Sequence, residues 1–323
     1  MMKILIILAS LLLCQAVVLP LTQPGRVVNC DDPEVHEGAN LAVKHINSQH
    51  RTGYKFALDR VENVNVQSSA FGEFFYLELD LLETLCPSLS PVPVENCSMR
   101  PITEQAVEGD CDVKLQKQNG TFTVLRTKCK SELDSAENLL RSCPGCLLAP
   151  LNDTQVVHAV DVSLNKFNGG NNTAFYFLHE IGRGRIQSGI SNSVHAEYII
   201  AASNCTIDDV NAGVVPCVEE TGANAHFGAC TGTVVTHQGA VDEEVTVTCT
   251  IYEPQVAEAV APPAPPALPQ TKGVHSHFHH SLHLGPQSSE SNSAEQAHHA
   301  VRRSLAGEHV PHLPLCPGRK LHN

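Results

Sequence analysis

The sequence predicts an α+β fold that is built twice. Two tandem modules, each a helix packed on an antiparallel sheet, precede a disordered C-terminal tail. The main observation is a duplicated cysteine pattern, because two sets of four cysteines recur at intervals of 11, 14 and 18 residues and of 12, 13 and 19 residues. The first members of the two sets lie 119 residues apart, which indicates two copies of one unit. The sets are Cys86, Cys97, Cys111 and Cys129, and Cys205, Cys217, Cys230 and Cys249.

Each module begins with a short amphipathic helix, predicted at 39–48 in the first module and at 156–167 in the second. The first helix carries its apolar side at Leu41, Ala42, His45 and Ile46. The strands that follow are rich in β-branched and aromatic residues and are separated by turn residues. They are predicted at 54–58, 74–82 and 121–128, and at 175–178, 196–202 and 244–252.

The composition changes after Tyr252. Residues 261–269 are almost entirely proline and alanine, and residues 287–296 are rich in serine, glutamate and asparagine. Such segments bury too little apolar surface to offset the entropy of ordering them, so we expect a disordered tail. The predicted organisation is a first domain at 27–133, a linker at 134–150, a second domain at 151–254 and a Pro/His/Ser-rich tail at 255–323.

The first residues predict secretion. Lys3 precedes an apolar run from Ile4 to Leu13, and Cys14-Gln15-Ala16 offers a small-residue cleavage site, so residues 1–16 are predicted to be a signal peptide. No other stretch has the roughly 18 apolar residues of a membrane-spanning helix. Removal of Cys14 leaves 12 of the 13 cysteines, an even number that suits an oxidising compartment. Five sequons predict N-glycosylation: Asn96, Asn119, Asn152, Asn171 and Asn204.

The charge pattern and the motifs exclude several functions. The net charge is −13 and no basic block precedes the tail, which argues against nucleic acid or anionic membrane as a partner. The predicted modules contain no His-Glu-x-x-His, Gly-x-Ser-x-Gly or phosphate-loop motif, so we expect a protein that is not an enzyme and has no tightly bound cofactor. We also expect a monomer.

Nearest-neighbour pairing within each module predicts disulfides Cys86–Cys97, Cys111–Cys129, Cys205–Cys217 and Cys230–Cys249. The Cys-x-x-Cys motif at the joint could be a redox site, half of a zinc site or a structural disulfide, and the secretory context favours a disulfide Cys143–Cys146. Cys30 and Cys316 are left over and most simply pair with each other. Sequence alone does not establish this connectivity.

Several stretches carry a family resemblance: residues 29–34 (NCDDPE), 106–112 (AVEGDCD), 148–154 (LAPLNDT) running into 156–159 (VVHA), 245–250 (VTVTCT) and 316–319 (CPGR). In both modules, the joint and the terminal cysteine, the chain resembles the fetuin family of the cystatin superfamily. The resemblance implies two cystatin-like domains, each a helix wrapped by an antiparallel sheet, and a terminal disulfide that joins Cys30 to Cys316.

The candidate binding site is the acidic strand within residues 72–83. Alternation places Leu77, Leu79 and Leu81 on one face, and Tyr76, Glu78 and Asp80 on the other. Carboxylates two residues apart lie roughly 6.5–7 Å from each other, which suits calcium ions at a mineral surface better than one caged ion. The alternative is an ordinary strand with a solvated acidic face.

The resemblance implies that the acidic sheet of the first domain binds calcium phosphate and inhibits mineral precipitation. The predicted contacts are Glu73, Glu78, Asp80 and Glu83. Glu108, Asp110 and Asp112 lie nearby in sequence and are expected to add to the negative field.

A second interpretation is an inhibitor of extracellular proteases. Inhibitory cystatins carry a Gln-x-Val-x-Gly hairpin, which neither residues 67–72 nor residues 187–191 match. Astacin-type metalloprotease inhibitors of the family place an acidic residue inside the Cys-x-x-Cys joint, where it reaches the catalytic zinc. This chain has Gly145 at that position, so that ligand is missing.

A third interpretation concerns the tail, which holds 10 of the 18 histidines. Clustered neutral imidazoles bind zinc, copper or haem weakly, and a soluble spacer is the alternative. The candidate ligands are His275, His277, His279, His280 and His283.

Overall fold

The computed structural model describes residues 26–170, 174–189, 191–213, 216–221, 225–237, 239, 242–253 and 318–322. Within these residues, the chain forms two antiparallel sheets, each crossed by one long helix. The predicted signal peptide and almost all of the predicted tail lie outside the described residues.

The first domain consists of helix α1 (Pro33–Gln49) and strands β1 (Tyr54–Ser69), β2 (Gly72–Pro87), β3 (Val107–Gln118) and β4 (Thr121–Leu133). The strands lie in the order β1-β2-β3-β4. α1 begins at a proline with Glu34 in its first turn, both of which favour a helix N-terminus. Its buried side chains pack against the apolar face of the sheet: Val35, Ala39, Ala42, Val43 and Ile46.

The second domain has the same plan. A short helix α2 (Ala136–Ser142) leads into strand β5 (Cys146–Leu148), helix α3 (Thr154–Asn168) and strands β6 (Tyr176–Gln187) and β7 (Ser191–Ala202). Helix α4 (Ile207–Asn211) and strands β8 (Phe227–His237) and β9 (Glu243–Ile251) follow, and the sheet order is β5-β6-β7-β8-β9. Part of the predicted linker is therefore the edge strand of the second sheet.

The structure confirms the α+β class and differs from the sequence prediction in detail. Both long helices and most strands are longer than predicted, β9 has the predicted length, and the predictions omitted β3, β5 and β8 altogether. Leu41 is exposed, because the buried side of α1 runs through Val35, Ala39 and Val43.

Five disulfides link the cysteine pairs that the sequence predicts within the modules and at the joint: Cys86–Cys97, Cys111–Cys129, Cys143–Cys146, Cys205–Cys217 and Cys230–Cys249. Cys30 is also disulfide-bonded, whereas Cys316 lies outside the described residues.

The C-terminal segment 318–322 lies against the exposed edge of β1. The Gly318 amide donates to the Val61 carbonyl at 2.9 Å, and the Leu321 amide donates to the Asp59 carbonyl at 2.7 Å. The Arg319 amide donates to the Asp31 carboxylate, next to Cys30 in the chain. Residues 318–322 thus pack on the first domain, so the predicted disorder of the tail does not extend to them, and the Cys30–Cys316 disulfide stays a prediction.

A buried group of charged side chains joins the two domains. Arg100 lies between Glu83 and Glu104 of the first domain and Glu197 of the second, and both Arg100 and Glu83 have fully buried side chains. The Tyr54 hydroxyl donates to Glu197 at 2.5 Å, and Arg183 of β6 donates to the carbonyls of Glu104 and Gln105. We call Glu83, Arg100, Glu104, Arg183 and Glu197 the interdomain charge network.

Candidate functional site

The open face of the first sheet, away from α1, carries a dense group of carboxylates. The register aligns Glu78 of β2 with Asp112 of β3, and Asp80 with Asp110. Residues directly opposite on one face of an antiparallel pair have Cβ atoms about 4.5–5.5 Å apart, so these carboxylates are neighbours across the strands as well as along them. We call the following set the acidic face: Glu62, Glu78, Asp80, Glu108, Asp110 and Asp112.

The centre of the acidic face brings three carboxylates together. Oxygen atoms of Glu62, Asp80 and Asp110 all lie within 4.8 Å of one another. Alternation along β1 puts Glu62 on the same face as Arg60, which lies directly opposite Asp80. The sequence prediction missed Glu62, because the predicted strand ended at residue 58, whereas β1 runs from Tyr54 to Ser69.

Arg60 partly balances these charges. Its guanidinium donates to Asp80 from Nε at 2.9 Å and from Nη2 at 2.5 Å, and it contacts Glu62 at 2.5 Å. The three side chains are only about a quarter to a third exposed. Arg60 therefore binds two carboxylates, Asp80 and Glu62, and Asp110 of β3 is the third carboxylate of the cluster.

Partial burial raises the pKa values of the acidic-face carboxyl groups, and neighbouring like charges add to this for Glu62, Glu108 and Asp110. Partial burial and the neighbouring Asp80 raise the pKa of Glu62 and of Asp110. Partial burial also raises the pKa of Glu108 and of Asp112. Neighbouring carboxylates repel each other and destabilise each other's charged form. A bound cation stabilises the charged form, because it offsets this repulsion. The oxygen donors are of the kind that calcium prefers.

Two of the four predicted contacts do not lie on the acidic face. Glu83 is fully buried between the domains, where it accepts a hydrogen bond from the Val107 amide at 2.9 Å. Glu73 lies on the helix side of the sheet and binds Arg26 at 2.9 Å. Both are an odd number of residues from Glu78, so strand alternation turns their side chains to the opposite face.

Exposed lysines and an arginine line the acidic face along the edge strand β4. Arg126, Lys128 and Lys130 lie opposite Lys114, Asp112 and Asp110 of β3. All three are exposed. We call Arg126, Lys128 and Lys130 the basic row.

The joint between the domains holds Gly145 in a conformation that excludes a side chain. Its φ is +80°, in the left-handed region that favours glycine, and an added Cβ would lie 2.5 Å from the Ser188 carbonyl oxygen. The backbone conformation thus favours glycine at position 145, and glycine offers no side chain that could bind zinc.

Four of the predicted sequon asparagines are exposed, namely Asn96, Asn119, Asn152 and Asn204. Asn171 lies outside the described residues, as do all five candidate histidines of the tail. No helix among the described residues is long and apolar enough to cross a membrane.

Comparison with known proteins places the chain in a family. The cystatin domain profile matches residues 25–120, which is most of the first domain. The alpha-2-HS-glycoprotein of Oryctolagus cuniculus is 42% identical over 83% of this chain and 70% of its own length. That of Bos taurus is 36% identical over 97% of this chain and 96% of its own length.

Solved structures of mouse fetuin-B share the two-domain fold. Fetuin-B in an inhibitory complex with human meprin beta aligns with a TM-score of 0.62 and 27% identity, over 73% of this chain and 76% of fetuin-B. Fetuin-B in complex with crayfish astacin aligns with a TM-score of 0.60 and 26% identity, over 72% of this chain and 71% of fetuin-B.

The repeated helix-and-sheet unit, the paired disulfides and these matches define a tandem-domain protein of the cystatin superfamily. Proteins of this class bind partners or inhibit proteases and are not enzymes. Within the class, the chain belongs to the alpha-2-HS-glycoprotein, or fetuin-A, family. It is a secreted, extracellular protein, as are its relatives.

Proposed function

We propose that this protein binds calcium phosphate through the acidic face and inhibits mineral precipitation. The observation that carries the proposal is the pairing of carboxylates across β2 and β3, Glu78 with Asp112 and Asp80 with Asp110. Like charges directly opposite each other destabilise a sheet, so their presence on an exposed face favours a role in cation binding.

The layout favours a mineral over a single caged ion. Calcium takes 6–8 oxygen ligands, and a flat sheet offers carboxylates from one side only. The remaining ligands of each ion must come from water or from the anions of the mineral. Several carboxylates at strand spacing can instead hold several calcium ions of one surface at once.

A turbidity assay of calcium phosphate precipitation tests the proposal. The test variant of the full-length secreted protein combines Glu78→Gln, Asp80→Asn and Asp110→Asn. We expect it to lose most of the delay in precipitation that the unmodified chain produces, because three of the calcium ligands are gone.

The matched control is Glu95→Gln with Asp208→Asn and Asp242→Asn. These three residues are exposed and lie off the acidic face, and the change in net charge is the same. If the control loses as much activity as the test variant, net charge and not the acidic face is responsible. If the test variant is fully active, the acidic face is not the mineral site.

The second candidate function is inhibition of an extracellular metalloprotease. It is favoured by the alignment with fetuin-B, which is bound to meprin beta and to astacin in the two solved complexes. The glycine at position 145 speaks against the zinc-ligand mechanism. Titration of meprin beta and astacin with the unmodified chain tests this candidate directly. Stoichiometric inhibition would support it and would require a mechanism that does not use an acidic joint.

A further inference from the structure

We propose that the basic row is a phosphate-binding row, so that the first sheet recognises both ions of calcium phosphate. This inference rests on the proposed function. Arg126, Lys128 and Lys130 project from β4, the edge strand next to the acidic carboxylates of β3. Anion sites on β4 then lie directly beside cation sites on β3 on one sheet face.

The spacing fits an ionic surface. Along β4, Lys128 and Lys130 are two residues apart, which is roughly 6.5–7 Å at the rise of a strand. Across the sheet, Lys128 is directly opposite Asp112, and Lys130 is directly opposite Asp110. A phosphate held by the lysines would therefore lie one strand spacing, about 4.8 Å, from a calcium held by the aspartates.

Lys128 and Lys130 do not form ion pairs with Asp112 and Asp110. In the described part of the chain, Lys128 and Arg126 have no carboxylate within 4.0 Å, and Lys130 has only Glu132 at 3.9 Å. Their charges nevertheless reach the face, because Lys128 and Arg126 oppose the burial that raises the pKa of Asp112. The ammonium groups thus remain available to an anion while they act on the acidic face.

Calcium binding alone does not explain such a row. Positive charges beside carboxylates weaken the attraction for a free calcium ion, since like charges repel. The same charges strengthen binding of a particle that carries phosphate beside each calcium, because ammonium groups bind phosphate through charge-assisted hydrogen bonds. The protein has a net charge of −13, so we infer that calcium adds first and that phosphate follows at the basic row.

The test variant combines Lys128→Gln and Lys130→Gln in the full-length protein. It is compared with the unmodified chain in two precipitation assays at the same free calcium concentration. One assay contains phosphate and the other contains carbonate. We expect the protein concentration that halves calcium phosphate turbidity to rise roughly fivefold, because each exposed charge contact contributes modestly. The calcium carbonate assay and calcium binding without phosphate should keep the unmodified values or improve slightly.

Two further variants make the result specific. Lys44→Gln with Arg141→Gln removes the same charge from exposed side chains off this face, and it should leave both assays unchanged. Lys128→Arg with Lys130→Arg should retain full activity toward calcium phosphate, because arginine also binds phosphate.

The outcomes separate this inference from the proposed function. If the unmodified chain does not delay calcium phosphate precipitation, both fail. If the triple variant of the acidic face loses activity while the lysine-to-glutamine variant matches its control, the acidic face stands and the phosphate row is wrong. An equal loss in the phosphate and carbonate assays would also overturn the phosphate row, because it would show a general charge effect.

Discussion

Gly145 holds the joint between the domains in a conformation that excludes a side chain. Its backbone is left-handed at φ +80°, and the Ser188 carbonyl occupies the space of a Cβ. The Ser188 amide also donates to the Gly145 carbonyl at 3.1 Å, which holds the two segments together. A side chain at position 145 must therefore displace backbone and not a flexible side chain.

We predict that Gly145→Asp destabilises the protein by at least about 2 kcal/mol, since the left-handed conformation alone costs a non-glycine residue about 1–2 kcal/mol. The matched control is Gly213→Asp, because Gly213 is also left-handed, at φ +72°, but an added Cβ there has no atom within 4 Å. Urea unfolding of the two variants separates conformational strain from the clash with Ser188.

Equal stability of these two variants would show that the Ser188 carbonyl moves aside at little cost. In that case, the joint could accept an acidic ligand, and a gain of astacin inhibition by Gly145→Asp would become possible to interpret. We expect the unequal result and no gain of inhibition.

The acidic residues show what strand alternation can and cannot predict. Alternation correctly assigns Glu78 and Asp80 to the open face, and the same rule excludes Glu73 and Glu83, which the sequence prediction included. The same rule puts Glu62 on the open face with Arg60, but the predicted strand ended at residue 58 and did not reach it.

At the scale of elements, β3 adds a second row of carboxylates beside those of β2, and the two rows together form most of the acidic face. Its sequence, VEGDCDVKLQKQ, alternates buried and polar residues, yet its charged residues and glycine make it a weak strand signal. The partner strands and the Cys111–Cys129 disulfide fix it in the sheet. The sequence could therefore predict that Asp110 and Asp112 are near the site, but not that they lie directly opposite Asp80 and Glu78.

The acidic face should make stability depend on pH and on calcium. The pKa values of Glu62 and Asp110 are raised in the folded protein above their ordinary values of 4.5 and 3.8. The folded state thus gains stability from their protonation below the ordinary values, and this gain is lost as the pH rises through the raised pKa values. At neutral pH, the two charged groups oppose folding.

We predict that Asp110→Asn stabilises the calcium-free protein at pH 7.4 by about 0.5 kcal/mol, the usual cost of like charges paired across strands. The advantage should shrink as the pH falls through the raised pKa values and disappear below 3.8. Calcium at pH 7.4 should stabilise the unmodified chain more than the variant. Asp242→Asn, which is exposed and off the face, should show neither effect.

Unfolding curves in urea, with and without calcium, measure these differences. A destabilised Asp110→Asn variant at neutral pH would contradict the view that crowding of carboxylates opposes folding. Identical calcium responses of the variant and the unmodified chain would remove Asp110 from the calcium site.

At the scale of the whole molecule, the interdomain charge network joins the two domains into one unit. The Arg100 guanidinium binds both Glu197 oxygens, at 2.8 and 3.1 Å, and lies 4.5 Å from the centre of the Tyr54 ring. Its Nε lies 3.3 Å from Glu83, at an angle that does not make a hydrogen bond. The sequence could not predict this network, because its members are far apart along the chain and none belongs to a motif.

The charge of Glu197 is stable because of its partners. Burial alone would raise the pKa of Glu197, but the hydrogen bonds and the charge of Arg100 lower it below the ordinary value of 4.5. The charge of Glu197 therefore contributes stability above pH 4.5, and this contribution is lost only as the pH falls through its lowered pKa.

We predict that Arg100→Met destabilises the protein by about 3–5 kcal/mol, because it leaves the buried carboxylate of Glu197 without its main partner and removes a positive charge beside buried Glu83. The two domains should then unfold in separate urea transitions, since their strongest link is broken. Adding Glu197→Gln should recover part of the loss, because one unpaired buried charge is removed. Arg51→Met, at an exposed arginine, should change stability by less than about 0.5 kcal/mol and keep the unfolding curve unchanged. A single transition for Arg100→Met, with the stability of the control, would mean that apolar contacts and not the buried charges hold the domains together.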